Sequence, residues 1–394
     1  MKTYEENGSL VISLAGRIDS PNAAAFEQEL TDAVSGRGEK EPVLDAAELE
    51  YISSAGLRVL MRLRKSLGRD VTVRNVSQEV YEIFDVTGFT SLLNVERKLR
   101  SIEVEGCEVI GRGATATVYR IDADTIVKVY EIPNALEMIR NEQRRAKQAF
   151  VKGIPTAISY DAVRVGDRYG SVFELLDART MSDALIAAPE RVDELVEMHV
   201  KLMKTIHGME AEPEELPDCR EIYLGYLAEL GEAIPQTLRR DLEARFRAMP
   251  EDLHMIHGDI HMKNVMLCGD GPLLIDMESL STGDPVFDLA DLFVAYQAFN
   301  EDDPTNSERF IGIDRAGCDT LMEKTLKCYL GSSDEALFRR TMRRVMAVGY
   351  VRFLFLVGVM RFGGEELIEL RVRHTVERLQ AALDGLDGFT LLDA

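Results

Sequence analysis

The stretch that decides how this chain is read is His257-Gly258-Asp259-Ile260-His261-Met262-Lys263-Asn264, continued through Pro272-Leu273-Leu274-Ile275 to Asp276-Met277-Glu278. Asp259 stands on a loop, and an amide, Asn264, follows five residues later. The apolar run has the length of a short buried strand and delivers a second acid, Asp276. Phosphoryl transfer uses this combination. One carboxylate orients and deprotonates an attacking hydroxyl, while an amide and a second carboxylate hold Mg²⁺ on nucleotide phosphates. His257 alone would pass for a core histidine, and the segment for a polar hairpin. The ordered spacing of acid, amide and second acid favours the chemistry.

Upstream, Val109-Ile110-Gly111-Arg112-Gly113-Ala114-Thr115-Ala116-Thr117-Val118 turns a strand through small residues and resumes it at Val118. Gly111, Gly113 and Thr115 let a backbone approach phosphates closely, although hairpin turns also use glycine. No Gly-Lys-Ser/Thr follows, so this is not a P-loop. The next strand, Ile126-Val127-Lys128-Val129-Tyr130, holds a lysine among apolar residues. A helix over 134–150 then offers Glu142 as the carboxylate that would hold Lys128 against phosphates, with Glu137 as the alternative. A hairpin around Gly166-Asp167 leads to Glu174 and Leu176, where an adenine-contacting hinge would lie. Residues 181–250 read as largely helical. His199 falls on an apolar helix face and reads as a core histidine. Asp288 and Asp291 read as helix-start acids favoured by the dipole. Arg339, Arg340, Arg343 and Arg344 read as a solvated basic face.

Residues from about 104 to 394 resemble the aminoglycoside phosphotransferase/choline-kinase-like family, a branch of the protein-kinase-like fold. The glycine loop, Lys128, Glu142, His257-Gly258-Asp259, Asn264 and Asp276 carry the resemblance. It implies an α+β two-lobed domain, with an antiparallel-sheet N-lobe (104–178), a helical C-lobe (179–394), and ATP with Mg²⁺ between them. Carried over residue by residue, Asp259 is the catalytic base, His257 positions the loop, Asn264 and Asp276 hold metal, and Glu278 is an auxiliary acid. Gly111, Gly113, Thr115, Val118, Lys128, Glu142, Glu174 and Leu176 would hold the nucleotide. Ala116 replaces the loop's third glycine, and Lys263 stands where the family often has glycine.

The first hundred residues alternate strand and helix signals, which makes a small α/β unit. Strands are expected at 10–14, 42–45 and 71–73, and helices from Ser20-Pro21-Asn22 to Gly36-Arg37-Gly38, from Ser53-Ser54, and over 76–86. Leu49-Glu50-Tyr51-Ile52 reads as a loop. Ser53 or Ser54 would suit a helix N-cap. The run Leu49-Glu50-Tyr51-Ile52-Ser53-Ser54-Ala55-Gly56-Leu57, with Phe84-Asp85-Val86-Thr87-Gly88-Phe89, resembles a STAS domain of the anti-sigma-factor-antagonist family over residues 1–98. That family implies a β/α fold, a regulatory protein partner, and phosphorylation of a serine at the helix start. By position before Gly56-Leu57 this serine is Ser54, with Ser53 as the second candidate. Residues 99–103 read as a short linker.

Composition narrows the classes. The net charge of −22 argues against general nucleic-acid binding and against adsorption to an anionic membrane. Five scattered cysteines without a CxxC pair fit a reducing, cytoplasmic setting and give no metal site. No apolar leader precedes Tyr4, and the most apolar run, 345–360, is short for a membrane span and carries Arg352. The leading expectation is an ATP-dependent phosphotransferase acting on a hydroxylated small molecule, with a regulatory STAS module. A second is that the kinase-like domain phosphorylates Ser54. A third is a nucleotide-sensing pseudokinase scaffold, disfavoured because Lys128, Asp259, Asn264 and Asp276 are all present.

Overall fold

The computed structural model describes residues 1–6, 8–35, 42–113, 115–132, 135–269, 271–362 and 364–391. The expected helix stop at Gly36-Arg37-Gly38, the loop residue Ala114 and the helix start at Asn134 lie outside the described residues. The chain divides into two compact units, Met1–Glu103 with Val163–Gly166, and Val104–Ala162 with Asp167–Ala394.

In the first unit, β1 (Lys2–Glu6) pairs antiparallel with β2 (Ser9–Ile18), and β3 (Pro42–Ile52), β4 (Thr72–Val76) and β5 (Asn94–Arg97) follow in parallel. Helices α1 (Ala23–Val34), α2 (Ser54–Leu67) and α3 (Gln78–Val86) make the crossovers. The sheet order follows the chain order, as repeated βα units with right-handed crossovers produce. Leu44, Ile52, Leu60, Val73 and Phe84 are buried between sheet and helices.

Several expectations are corrected. Residues 49–52 are strand rather than loop, because β3 stays paired with β2 through Ile18↔Ile52 despite two register irregularities. Val76 ends β4, and Ser77 caps α3 by accepting from the Val80 amide at 3.3 Å. At α1, neither Ser20 nor Asn22 caps the helix with its side chain. Asn22 Oδ1 instead accepts from the Asp19 amide at 2.9 Å, and its Nδ2 donates to the Arg17 carbonyl at 2.7 Å. The polar strand β1 gave no apolar alternation to read. The expected linker contains a two-residue strand, β6 (Arg100–Ser101), which pairs in parallel with Val163 and Arg164.

In the second unit, β7 (Glu108–Arg112), β8 (Ala116–Arg120) and β9 (Thr125–Tyr130) form an antiparallel sheet. Helix α4 (Leu136–Val151) follows, and β11 (Arg168–Glu174) pairs antiparallel with β9; between them in the chain, most of β10 (Asp161–Val165) and the turn at Gly166 fall in the first unit. The remainder is mainly helical. Strand β12 (Arg179–Thr180) precedes α5 (Met181–Ala187), α6 (Val192–His207), α7 (Cys219–Leu230) and α8 (Gln236–Ala248). Short strands β13 (Met255–Ile256), β14 (Val265–Cys268), β15 (Gly271–Leu274) and β16 (Ser281–Thr282) frame the motif quoted above. Five helices complete the unit: α9 (Val286–Tyr296), α10 (Asn306–Phe310), α11 (Arg315–Leu330), α12 (Glu335–Gly358) and α13 (Glu365–Leu383). Helix α9 is buried along its whole length. No helix among the described residues is long and apolar enough to cross a membrane.

The expected solvated arginine face is corrected in part. Arg339, Arg340 and Arg343 are exposed, but Arg344 is buried on α12 and pairs with Asp387 at 3.3 Å.

Candidate active site

Sheet register places the upstream residues in one row. Val118 pairs with Gly111 on one side and with Lys128 on the other, and Lys128 pairs in turn with Ser171. The turn at the tip is closed by the Gly113 amide donating to the Ala116 carbonyl at 2.8 Å, and by the Glu131 amide donating to the Thr115 carbonyl at 2.8 Å. Neither Gly111 nor Gly113 has a positive φ, and a Cβ at either would meet its nearest neighbour at an ordinary 3.6 Å. The fold itself does not require glycine there. Glu174 ends β11, where Tyr160 donates to its carboxylate at 3.3 Å. Leu176 is half-buried just beyond.

Lys128 points between two carboxylates. Its ammonium lies 3.8 Å from Glu142 Oε1 on α4 and in closer contact with Asp276 Oδ1. Burial works against its charge, but Asp276 and Glu142 outweigh burial and hold its pKa above the usual value. Glu142 is itself buried and accepts a 2.5 Å hydrogen bond from the Tyr130 hydroxyl. Burial pushes the Glu142 pKa up, with Lys128 opposing. Among the described residues Glu137 makes no ion pair with Lys128, so Glu142 is the helix carboxylate in place.

The loop after β13 is fixed from beneath. Asp288, fully buried on α9, accepts from the Gly258 amide at 2.6 Å, the His257 amide at 3.0 Å and His207 Nε2 at 2.9 Å. His257 is also fully buried. Its Nδ1 accepts from the Asp259 amide at 3.2 Å, so Nε2 carries the proton and donates to the Ile275 carbonyl at 3.1 Å. One imidazole therefore ties the loop to the residue preceding Asp276. Gly258 has φ 77°, and a Cβ there would stand 2.6 Å from the Ser279 carbonyl oxygen. Both facts demand glycine between His257 and Asp259. His199 is a core histidine, as expected, and donates to the Ile260 carbonyl at 2.7 Å. Burial pushes its pKa down to about 4, so it is neutral near pH 7.

On this support the Asp259 side chain remains about 39% exposed, open to a reactant. Asn264 Nδ2 donates to its Oδ2 and to its carbonyl, both at 2.9 Å. His261 Nε2 lies 3.5 Å from its Oδ1. Burial opposes ionisation of Asp259, but His261, Arg352, His257 and the Asn264 hydrogen bond outweigh it and hold the carboxyl below its usual range. Asp276 adopts the left-handed conformation, φ 60° and ψ 60°. This costs a residue with a Cβ on the order of 1 kcal/mol and persists only where surrounding structure imposes it. Glu278 is exposed, and its carbonyl accepts from Arg145 of α4. Although the side chain meets solvent, partial desolvation by the surrounding protein, helped by the nearby carboxylates Glu142 and Asp276, raises its pKa, with Lys128 opposing.

The donor set suits a hard divalent cation. Asp276 and Asn264 offer carboxylate and amide oxygens, and a positive group already lies against Asp276. No cluster of three or more His, Cys, Asp or Glu side chains among the described residues forms an all-protein cage. Mg²⁺ is characteristically held by one or two protein groups together with phosphates and water. Asp276 and Asn264 would hold it, with Glu278 adjacent.

Asp288 and Asp291 are not helix-start acids exposed to a dipole. Both are buried in an otherwise apolar helix, Asp288 under the loop and Asp291 in an ion pair with Arg352 at 2.8 Å. Sequence carried a signal for this. A helix that is apolar all round cannot shelter two carboxylates without partners.

A lysine on an antiparallel sheet, a helix glutamate, and two acids and an amide on a loop beneath them define a kinase-like phosphotransferase, here joined to a STAS domain. The chain belongs to the phosphotransferase enzyme family, which matches residues 106–317, and residues 1–94 match the family described as "Mlab, STAS domain". Over 92 residues the chain is 38% identical to BtrV of Bordetella bronchiseptica, which carries the name of an anti-sigma factor antagonist. That match covers 23% of this chain and 78% of BtrV. Among solved structures, the GDP complex of an aminoglycoside 2'-phosphotransferase is 13% identical, covering 77% of this chain and 98% of that one, with a TM-score of 0.49. ADP-bound aminoglycoside phosphotransferase APH(2'')-Ib is also 13% identical, covering 79% and 99%, with a TM-score of 0.49.

Proposed function

We propose that residues 104–394 transfer the γ-phosphate of ATP to a hydroxyl of a small molecule, and that residues 1–98, joined through 99–103, regulate this activity. The observation that carries the reading is the convergence of Lys128, Glu142 and Asp276 beside a loop whose Asp259 is ionised, exposed and held from below by Asp288. Lys128 would bind phosphate oxygens, with Glu142 orienting it. The backbone of Gly111, Gly113 and Thr115 would cover the phosphates, with Val118 beneath, and the segment from Glu174 to Leu176 would meet the base. Mg²⁺ held by Asn264 and Asp276 would neutralise charge on the phosphates. Asp259 takes the acceptor's proton as the acceptor oxygen bonds to the γ-phosphorus, and ADP leaves with the electron pair of the broken P–O bond.

The test is ADP release with Mg·ATP against a panel of alcohols. Asp259→Asn should lower turnover by about 10²–10⁴-fold, the usual contribution of a general base. Unchanged turnover in that variant would sink the reading.

One observation favours a second acceptor. Ser53 is the N-cap of α2, accepting from the Gly56 amide at 3.4 Å, which leaves Ser54 exposed at the first helical position. A phosphate there would lie at the positive end of the helix. Labelled ATP that marks the protein, and ceases to in both Ser54→Ala and Asp259→Asn, would support phosphorylation of Ser54 by this chain. Labelling that survives Ser54→Ala removes it.

A further inference from the structure

Two acids one turn apart on α9 divide the work beneath the catalytic loop. Asp288 holds the amides of His257 and Gly258. Asp291, three residues on, lies on the same helix face. Its carboxylate, only about 4% exposed, pairs with Nε of Arg352 from α12 at 2.8 Å. The two acids are one turn apart on one face of α9, so Arg352 pairs one turn away from the carboxylate that holds the His257 and Gly258 amides, and it helps hold the Asp259 carboxyl below its usual range.

The guanidinium is bound on one side only. Nε lies 2.8 Å from Asp291 Oδ1 as an ion pair without hydrogen-bond geometry, and Arg352 makes no hydrogen bond among the described residues, while its side chain keeps about 16% exposure. Its two terminal amino groups form the fork that recognises carboxylates and phosphates. Tyr223 of α7 adds a buried hydroxyl with no partner among the described residues. Tyr226 of the same helix, stacked on Phe355 with ring centroids 4.0 Å apart, influences Arg352 as well. A purely structural arginine would be expected to spend its fork on carbonyls or acids, as Arg220 does on Asp218 and the Met249 carbonyl.

We propose that Arg352 recognises the acceptor, and that the acceptor is an anionic hydroxylated molecule carrying a carboxylate or phosphate near the reacting hydroxyl. This rests on the phosphotransferase reading above and names its substrate class. Without a cation there, an anionic acceptor would be repelled by the ionised Asp259. Arg352 offsets that repulsion and orients the anion through its fork. The chain's charge of −22 would draw cations from a distance. At physiological salt such fields fade beyond about 8 Å, so the nearest charges decide.

The test uses the full chain with ADP and magnesium, and thermal-shift titration with glycerate, glycerol 3-phosphate, glycerol and 2-aminoethanol. The two anions should bind about tenfold or more tightly than the other two, the size of a charge-assisted hydrogen bond. Preference for glycerate over glycerol 3-phosphate, or the reverse, identifies the anion. Arg352→Lys should keep part of the preference. Arg352→Met combined with Asp291→Leu removes the pair without stranding a buried carboxylate, and should erase the preference in a protein that still melts cooperatively. Equal binding of all four, tighter binding of 2-aminoethanol, or a preference that survives the double variant overturns the proposal. Turnover is read separately. If Asp259→Asn leaves turnover intact, the phosphotransfer reading fails, while the titration still decides what Arg352 binds.

Discussion

Replacing Asp288 by asparagine tests the support of the catalytic loop by changing one atom. The carboxylate accepts three hydrogen bonds, from the Gly258 amide on Oδ1 and from the His257 amide and His207 Nε2 on Oδ2. An amide cannot accept on both sides. Turned the better way, its NH₂ faces Gly258 N–H, so one buried donor is stranded at about 1–3 kcal/mol. The other two bonds survive but lose their charge assistance, about 1 kcal/mol each. The sum is about 3–5 kcal/mol. For the larger unit, at about 2.1 cal/mol/K per residue over about 290 residues, each kcal/mol moves the midpoint by about 1.6 °C, so the loss corresponds to about 5–8 °C. Differential scanning calorimetry of the full chain should show the transition of the larger unit falling by that amount, with the smaller unit's transition unmoved. Turnover should fall at temperatures where the variant is still folded, because Asp259 follows directly on the two anchored amides. A variant that melts within a degree of the parent and keeps full turnover would refute the idea that Asp288 builds the loop.

Tyr130→Phe removes the 2.5 Å hydrogen bond to buried Glu142 and frees that carboxylate to turn from Lys128. The KM for ATP should rise about three- to tenfold with a smaller change in kcat, and an unchanged KM counts against a positioning role. Ser53→Ala should cost the smaller unit about 1 kcal/mol through loss of its cap. Ser54→Ala, exposed at the same helix start, should stay within about 0.5 kcal/mol by urea titration, and the reverse order would contradict the assigned cap. Asp259 has its pKa lowered in the fold, burial opposing but His261, Arg352 and Asn264 prevailing. Its contribution is therefore present above the usual carboxylate range and lost as pH falls through the lower folded value. The acid limb of kcat/KM should lie below about pH 4; a limb near pH 6 that disappears in Asp259→Asn would be inconsistent with this.

The reading of residues 257–278 rested on chemistry that fixes both residue type and spacing, and such patterns survive without knowledge of the fold. Lys128 and Glu142 were legible for a related reason: a lysine inside an apolar strand followed by a helix acid has few other uses. What the sequence hid was long-range. Residues 49–52 stay in β3 only because β2 continues to pair with them past two irregularities. β1 is polar and belongs to the sheet through its pairing with β2 alone. Ser53 and Ser54 were interchangeable as letters, and only the backbone of α2 separated cap from first helical residue.

Asp288 and Asp291 show where a local argument fails and what could replace it. An acid near a helix start is favoured by the dipole when it meets water. Helix α9 meets none, being buried throughout. A carboxylate in such a helix must be matched by donors from elsewhere, and the two on α9 are matched by different parts of the chain: the loop amides and His207 for one, Arg352 for the other. Their separation by three residues puts those partners side by side. The group that holds the loop of Asp259 and the group that pairs with Arg352, whose terminal amino groups make no hydrogen bond among the described residues, are thereby set one turn apart on a single helix. Under the proposed phosphotransfer, the motif around Asp259 bears on a reacting hydroxyl, and α9 with α12 bears on the acceptor's charge.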